Sequence, residues 1–107
     1  MIKSKNGVDL SKLNPVMWRA GVVMEDLCSK YKREAVITSG VDGKHGVGSL
    51  HGKGKALDFR TFHLPGGYLG LAAQDVYARA RAELKPRGFD VILEKDHIHI
   101  EFDPKEV

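Results

Sequence analysis

The sequence of 107 residues has one cysteine and no long uninterrupted run of apolar residues. Cys28 alone cannot form an internal disulfide, so folding in a reducing compartment is allowed. A membrane-spanning helix needs about 20 consecutive apolar residues, far more than the longest apolar run in this chain. Residues 1–7 also lack the apolar stretch of a secretory signal. We therefore expect synthesis in the cytoplasm without a signal peptide, and no membrane partner.

A strong charge of either sign is also missing. Lys and Arg number 17 against 14 Asp and Glu, which gives a formal net charge of +3. No dense block of Lys and Arg with interleaved aromatics occurs, so nucleic acid is not an expected partner. The mild positive charge favours anionic surfaces such as a cell-wall polymer. The length predicts a single domain spanning residues 1–107, which we expect to act as a monomer.

Hydrophobic periodicity predicts two helices and four strands. The first helix covers about 15–32, with Asn14 as its N-cap and Pro15 in its first turn. The second covers about 69–85 and ends before Pro86 and Gly88. The predicted strands are 34–39, 55–60, 89–93 and 97–102. This order predicts an α+β fold in which a small, largely antiparallel sheet carries both helices on one face.

Strand alternation separates a core face from a polar face. In strand 55–60, Asp58 and Arg60 face away from the core. In strand 97–102, the side chains of His97, His99 and Glu101 share the face opposite the helices. Two imidazoles and a carboxylate on one strand face are an unusual use of a surface. They point to a functional role for this side of the sheet.

Two polar clusters about forty residues apart predict a metal site. The first contains His51 and Asp58, separated by a segment in which Gly52 and Gly54 allow the chain to turn back. The second contributes His99. Each cluster alone carries little weight, but together they favour a mononuclear site with nitrogen and oxygen ligands. Zinc accepts such ligands and, in hydrolytic sites, keeps a fourth position open for water.

The main chemical competitor is iron, which also binds two histidines and one carboxylate. Ligand count does not separate the two metals. Zinc is favoured because Asp96 is an adjacent carboxylate outside the ligand set. Such a group is the natural base to take a proton from a zinc-bound water, whose pKa falls to about 7.

Two spaced motifs resemble those of the zinc D-alanyl-D-alanine peptidase family, known as peptidase M15. They are Ser49-x-His51-x-x-Gly54-x-Ala56-x-Asp58 and, far downstream, Asp96-x-x-His99. The family includes D-Ala-D-Ala dipeptidases and carboxypeptidases and the L-alanyl-D-glutamate endopeptidases of phage lysins. It shares its fold with the hedgehog signalling domain. The resemblance covers about residues 37–103 and is close to compact phage-encoded members.

The resemblance implies a zinc metallopeptidase that hydrolyses an amide bond in the peptide stem of peptidoglycan. The implied type is a D-Ala-D-Ala carboxypeptidase or an L-Ala-D-Glu endopeptidase. His51, Asp58 and His99 would hold the zinc, and Asp96 would be the general base. Other branches of the fold place a catalytic histidine two residues before the last ligand, which corresponds to His97. We predict Asp96 as the base, with His97 supporting it by polarising the scissile carbonyl or stabilising the oxyanion.

The substrate-binding residues are less closely specified. The resemblance implies that Ser49 hydrogen-bonds the substrate near the metal. An arginine expected shortly after Ser39 is absent, and Lys44 or His45 would have to replace it. Arg60 shares the face of Asp58 and is a candidate for binding a carboxylate of the peptide, the alternative being an ordinary surface arginine.

The absent arginine also keeps a second interpretation open. In this interpretation the protein is a catalytically inactive, zinc-stabilised binding module, or a virion-associated module, of the same fold. For the enzyme, we expect a phage-encoded hydrolase, similar to an endolysin, that acts on the bacterial cell wall after release or delivery. The sequence does not decide which peptide bond is cut.

Overall fold

A computed structural model describes residues 2–41 and 53–104 of the chain. A five-stranded sheet and two α-helices make up the fold, which confirms the predicted α+β class. The elements in chain order are β1 Lys3–Ser4, α1 Trp18–Ser29, β2 Val36–Ser39, β3 Ala56–Arg60, α2 Leu71–Leu84, β4 Phe89–Leu93 and β5 His97–Phe102.

The strands lie in the order β1-β2-β3-β5-β4. β1 runs parallel to β2, and every other neighbouring pair is antiparallel. β1 was not predicted because two residues are too few to show an alternating pattern. Its backbone is nevertheless fixed beside β2: Lys3 N donates to Ala35 O at 2.9 Å and Lys5 N donates to Ile37 O at 2.8 Å. The sheet is therefore one strand wider than the sequence predicts.

Both predicted helices form with slightly shorter α-helical bounds. Asn14 caps the first helix as expected, because its Oδ1 accepts from Val16 N at 3.0 Å. The first turn, Pro15–Met17, is a 3-10 helix that leads into α1. α2 begins after Gly70 and passes into the 3-10 turn Lys85–Arg87. Among residues 2–41 and 53–104, no helix has the length and apolar character needed to cross a membrane.

The helices cover one face of the sheet and leave the other polar. The core face carries Leu57 and Phe59 from β3 and Ile98 and Ile100 from β5, all fully buried. These side chains form one cluster with the apolar residues of α1 and α2. The intervening residues of β3 and β5 therefore project from the opposite face. This is the alternation that the sequence predicts.

Gly54 holds the turn that leads into β3. It has φ +71, a left-handed value, and a Cβ added to it would overlap the backbone oxygen of Lys12. Its own oxygen accepts from Asn14 N at 2.9 Å, which ties the turn to the segment before α1. The glycine of the first motif thus has a structural reason to be there, besides any role near a metal.

We expect Gly54→Ala to destabilise the protein more than Gly67→Ala. Gly67 also has positive φ (+79) but no atom within 4 Å of an added Cβ, so its replacement carries only the conformational cost of about 1–2 kcal/mol. Gly54→Ala adds a steric overlap with backbone to the same cost. Urea unfolding followed by circular dichroism measures both. Equal losses would show that the contact with Lys12 does not constrain this turn.

A polar contact joins the end of α1 to α2. Tyr31 donates its hydroxyl to Asp75 Oδ2 at 2.5 Å, and Arg79 donates to Asp75 Oδ1 at 2.8 Å. The hydrogen bond from Tyr31 is the largest of the effects that hold the pKa of Asp75 below its ordinary value, followed by the hydrogen bond from Arg79. The carboxylate is therefore bound in its ionised form, on the polar side of the helix pair.

We expect this contact to make stability depend on acid pH. Because the folded-state pKa of Asp75 is lowered, its contribution is present above the ordinary aspartate value of about 3.9 and is lost as pH falls through the lowered value. Tyr31→Phe should reduce the part of the acid-induced loss that comes from Asp75. Urea midpoints between pH 2 and 6 test this. An identical pH profile for Tyr31→Phe and the parent protein would contradict the assignment.

Candidate metal centre and groove

The two predicted ligands in the described part of the chain lie side by side. Asp58 in β3 is directly opposite His99 in β5, although 41 residues separate them in sequence. Asp58 Oδ1 and His99 Nδ1 are 2.8 Å apart, and each side chain is only 16% exposed. The antiparallel register brings them together, because directly opposed residues on one face have neighbouring Cβ atoms.

Glu101 binds the other nitrogen of the same imidazole. Its Oε1 lies 2.7 Å from His99 Nε2, so the histidine stands between two carboxylates. The hydrogen bond with Asp58 is the largest cause of the raised pKa of His99, which reaches about 9; burial opposes it and Glu101 adds to it. Without a metal, the ring is thus a cation that donates from both nitrogens. Because Nε2–H of His99 donates to Glu101, Nδ1 is the ring nitrogen that faces Asp58.

The donor atoms fit a zinc ion. One imidazole nitrogen and one carboxylate oxygen are close enough to share a small cation, and both are ligand types that zinc prefers. A carboxylate on the second nitrogen of a ligand histidine is the usual arrangement that fixes its tautomer and orientation. His51, the third predicted ligand, lies outside the described residues, as do Ser49, Lys44 and His45.

Asp96 and His97 form a hydrogen-bonded pair beside Asp58. Asp96 lies in the connection between β4 and β5, and its Oδ1 is 2.6 Å from His97 Nδ1. This hydrogen bond is the main cause that lowers the pKa of Asp96. The second nitrogen of His97, Nε2, lies 3.6 Å from Asp58 Oδ1. The two residues that were predicted as alternative bases are therefore one structural unit, with His97 nearer to the candidate ligand.

An open groove of about 320 Å³ runs along this polar face. Four of the residues that line it were predicted as site residues, namely Asp58, Arg60, Asp96 and His97. The others were not predicted and are Lys5, Thr38, Ser39, Phe62 and Tyr68. The groove thus brings cations, carboxylates and aromatic rings together beside the candidate ligands.

The unpredicted groove residues have identifiable structural origins. A register shift between Ile37 and Ser39 interrupts the pairing of β2 with β3. Such an irregularity redirects side chains, and Thr38 and Ser39 both line the groove. Lys5 reaches the groove because it follows β1, the strand that the sequence did not reveal. For these residues the sequence offered one signal, the predicted end of strand 34–39. It places Ser39 at the end of that strand but does not show that its side chain faces the groove.

A second group of potential ligands lies on the same face of the sheet. Within the described ranges, Asp90, Glu101 and Asp103 are the one trio whose ligand atoms all lie within 4.8 Å of one another. Their donors are all oxygens, which suit calcium or magnesium better than zinc. Glu101 is also engaged with His99. Acidic side chains often cluster at surfaces without a metal, and we assign no site to this trio.

Comparison of the chain with known protein families, with curated proteins and with solved structures finds no match. The arrangement of side chains on the polar face is therefore the observation from which a function can be argued. The spaced motifs that contain those side chains supply a chemical hypothesis for it.

Proposed function

We propose that this protein is a zinc-dependent peptidase that hydrolyses an amide bond in the peptide stem of peptidoglycan. The observation that carries the proposal is the approach of Asp58 Oδ1 and His99 Nδ1 to 2.8 Å beside an open groove. His51 completes the ligand set in the motif that the sequence resembles. Phage lysins with similar motifs act on the cell wall, and we propose the same target for this chain after release or delivery.

Zinc, when bound, supplies a Lewis acid that makes amide hydrolysis accessible near neutral pH. The chain itself must then accept a proton from the attacking water and return one to the leaving amine. The Asp96–His97 pair is suited to this task because it borders the groove beside Asp58. Asp96 is our candidate for the base, and its hydrogen bond to His97 Nδ1 orients the histidine, whose Nε2 lies 3.6 Å from Asp58 Oδ1 and can support the reaction from there.

The charge that develops on the carbonyl oxygen needs nearby positive groups. Lys5 lines the groove, so the absence of an arginine after Ser39 does not leave this face without a cation for that charge. Preorganised cations are effective where water is partly excluded. This arrangement supports catalysis over the alternative of an inactive binding module of the same fold.

Digestion of purified cell walls tests the proposal. The zinc-loaded protein should clear a zymogram containing sacculi and release muropeptides of lower mass, and chelation of zinc should abolish both effects. Mass spectrometry of the products identifies the bond that is cut. A binding module would instead sediment with sacculi and release nothing.

A further inference from the structure

We propose that Arg60 determines the specificity of the groove by binding a carboxylate of the substrate peptide. Phe62 and Tyr68 would cover the apolar part of the same substrate residue. The inference depends on the proposed function in one respect, namely that the groove receives a peptide. It adds the chemical class of group recognised there and the side chain that recognises it.

The position of Arg60 places this contact close to the reacting bond. Arg60 lies two residues after Asp58 on the same face of β3 and directly opposite His97 in β5. Two residues along a strand span about 6.6 Å. When the scissile bond of a peptide lies beside Asp58 and His97, the peptide residue next to that bond therefore reaches Arg60. Arg60 can then bind a carboxylate carried by that residue.

Arg60 has the donors for such a contact. Within residues 2–41 and 53–104, no carboxylate forms a salt bridge with it, whereas Asp96 bonds to His97 and Asp58 to His99. Its guanidinium carbon lies 4.7 Å from the ring centroid of Phe62. Stacking on an aromatic ring holds a guanidinium in place while its N–H groups remain able to bind a carboxylate in bidentate fashion.

The aromatic wall next to Arg60 is exposed. Phe62 and Tyr68 pack edge to face with ring centroids 5.8 Å apart, and they are 49% and 48% exposed. Half-exposed aromatic rings that line a polar groove offer apolar contact area to a ligand. A ligand residue with a short methylene segment that ends in a carboxylate matches an apolar wall followed by a cation.

The test uses three zinc-loaded proteins, namely the parent, one variant and one control variant, and two matched peptides. The peptides differ only in a carboxylate or a neutral carboxamide on the residue next to the cleaved bond. We expect the parent protein to prefer the carboxylate by about 10-fold or more in kcat/KM, since a hydrogen bond to a charged group contributes about 1.5–3 kcal/mol. Arg60→Gln should remove this preference mainly by raising KM. Arg87→Gln, an exposed arginine outside this groove, serves as the matched control.

Peptide binding, measured by calorimetry on the zinc-loaded protein, separates failure of this inference from failure of the proposed function. Hydrolysis with no preference between the peptides, in the parent and in Arg60→Gln, would overturn the role of Arg60 and leave the peptidase standing. A second outcome is that the parent and Arg87→Gln bind the carboxylate peptide without hydrolysing it, while Arg60→Gln does not bind it. That outcome would support the subsite and contradict the peptidase. No binding of either peptide would overturn both. Thermal unfolding and zinc content of Arg60→Gln exclude misfolding as the cause.

Discussion

Replacement of Asp58 by asparagine is expected to abolish the binding of one zinc ion per chain. The carboxylate is 2.8 Å from His99 Nδ1 and supplies the only anionic ligand in the predicted set. Loss of a group that only supports a ligand typically lowers metal affinity about 10–100-fold, so loss of the ligand itself should cost more. Competition with a chromogenic chelator measures the affinity. His51→Ala and His99→Ala should have the same effect.

Asp90→Asn is the matched control for this experiment. Asp90 lies on the same face of the sheet and belongs to the acidic trio with Glu101 and Asp103. If the imidazole–carboxylate pair holds the metal, Asp90→Asn should leave zinc affinity unchanged. Loss of metal in Asp90→Asn but not in Asp58→Asn would locate the metal at the acidic trio and contradict our assignment.

Asp96→Asn is expected to retain zinc and lose hydrolysis. The substitution keeps the shape of the side chain but removes the charge that binds His97 Nδ1 at 2.6 Å. Positioned acid–base groups typically contribute about 10²–10⁴-fold to rate, and we expect a loss in this range. Release of muropeptides from purified walls, measured beside zinc content, provides the test. Activity of Asp96→Asn equal to that of the parent protein would contradict a catalytic role.

A double variant shows whether Asp96 acts together with His97. If the two residues form one proton-accepting unit, His97→Gln alone should lose about as much activity as the variant that carries both substitutions. Additive losses would mean that they act independently. Glu94→Gln, which changes another exposed carboxylate in the same connection, should be active and controls for the loss of charge.

The polar face that carries Asp58 and His99 could be predicted from the sequence, whereas their direct pairing and the groove could not. Period-two alternation placed Asp58 and His99 on the polar face, and strand pairing then set them opposite each other. Burial of the alternate residues strongly determines that register, because a shift by one residue would expose the core side chains. Alternation therefore predicts which face each residue takes, but not which residue of the neighbouring strand it opposes.

The other groove residues depend on features with no local signal. Lys5 follows a two-residue strand, too short to show alternation, that pairs with β2. Thr38 and Ser39 reach the groove at a register shift that alternation does not reveal. The Asp96–His97 contact was also missed, since alternation assigned the aspartate to the turn and the histidine to the strand face. A side chain in a turn can still bend back to bind its neighbour.

A crystal structure of the zinc-loaded protein, with anomalous data collected at the zinc edge, tests the central claim most directly. We predict one anomalous peak per chain, with Asp58, His99 Nδ1 and His51 as ligands at about 2.0–2.2 Å. A peak among Asp90, Glu101 and Asp103, or no peak on the polar face of the sheet, would contradict the proposed metal centre and the chemistry that depends on it.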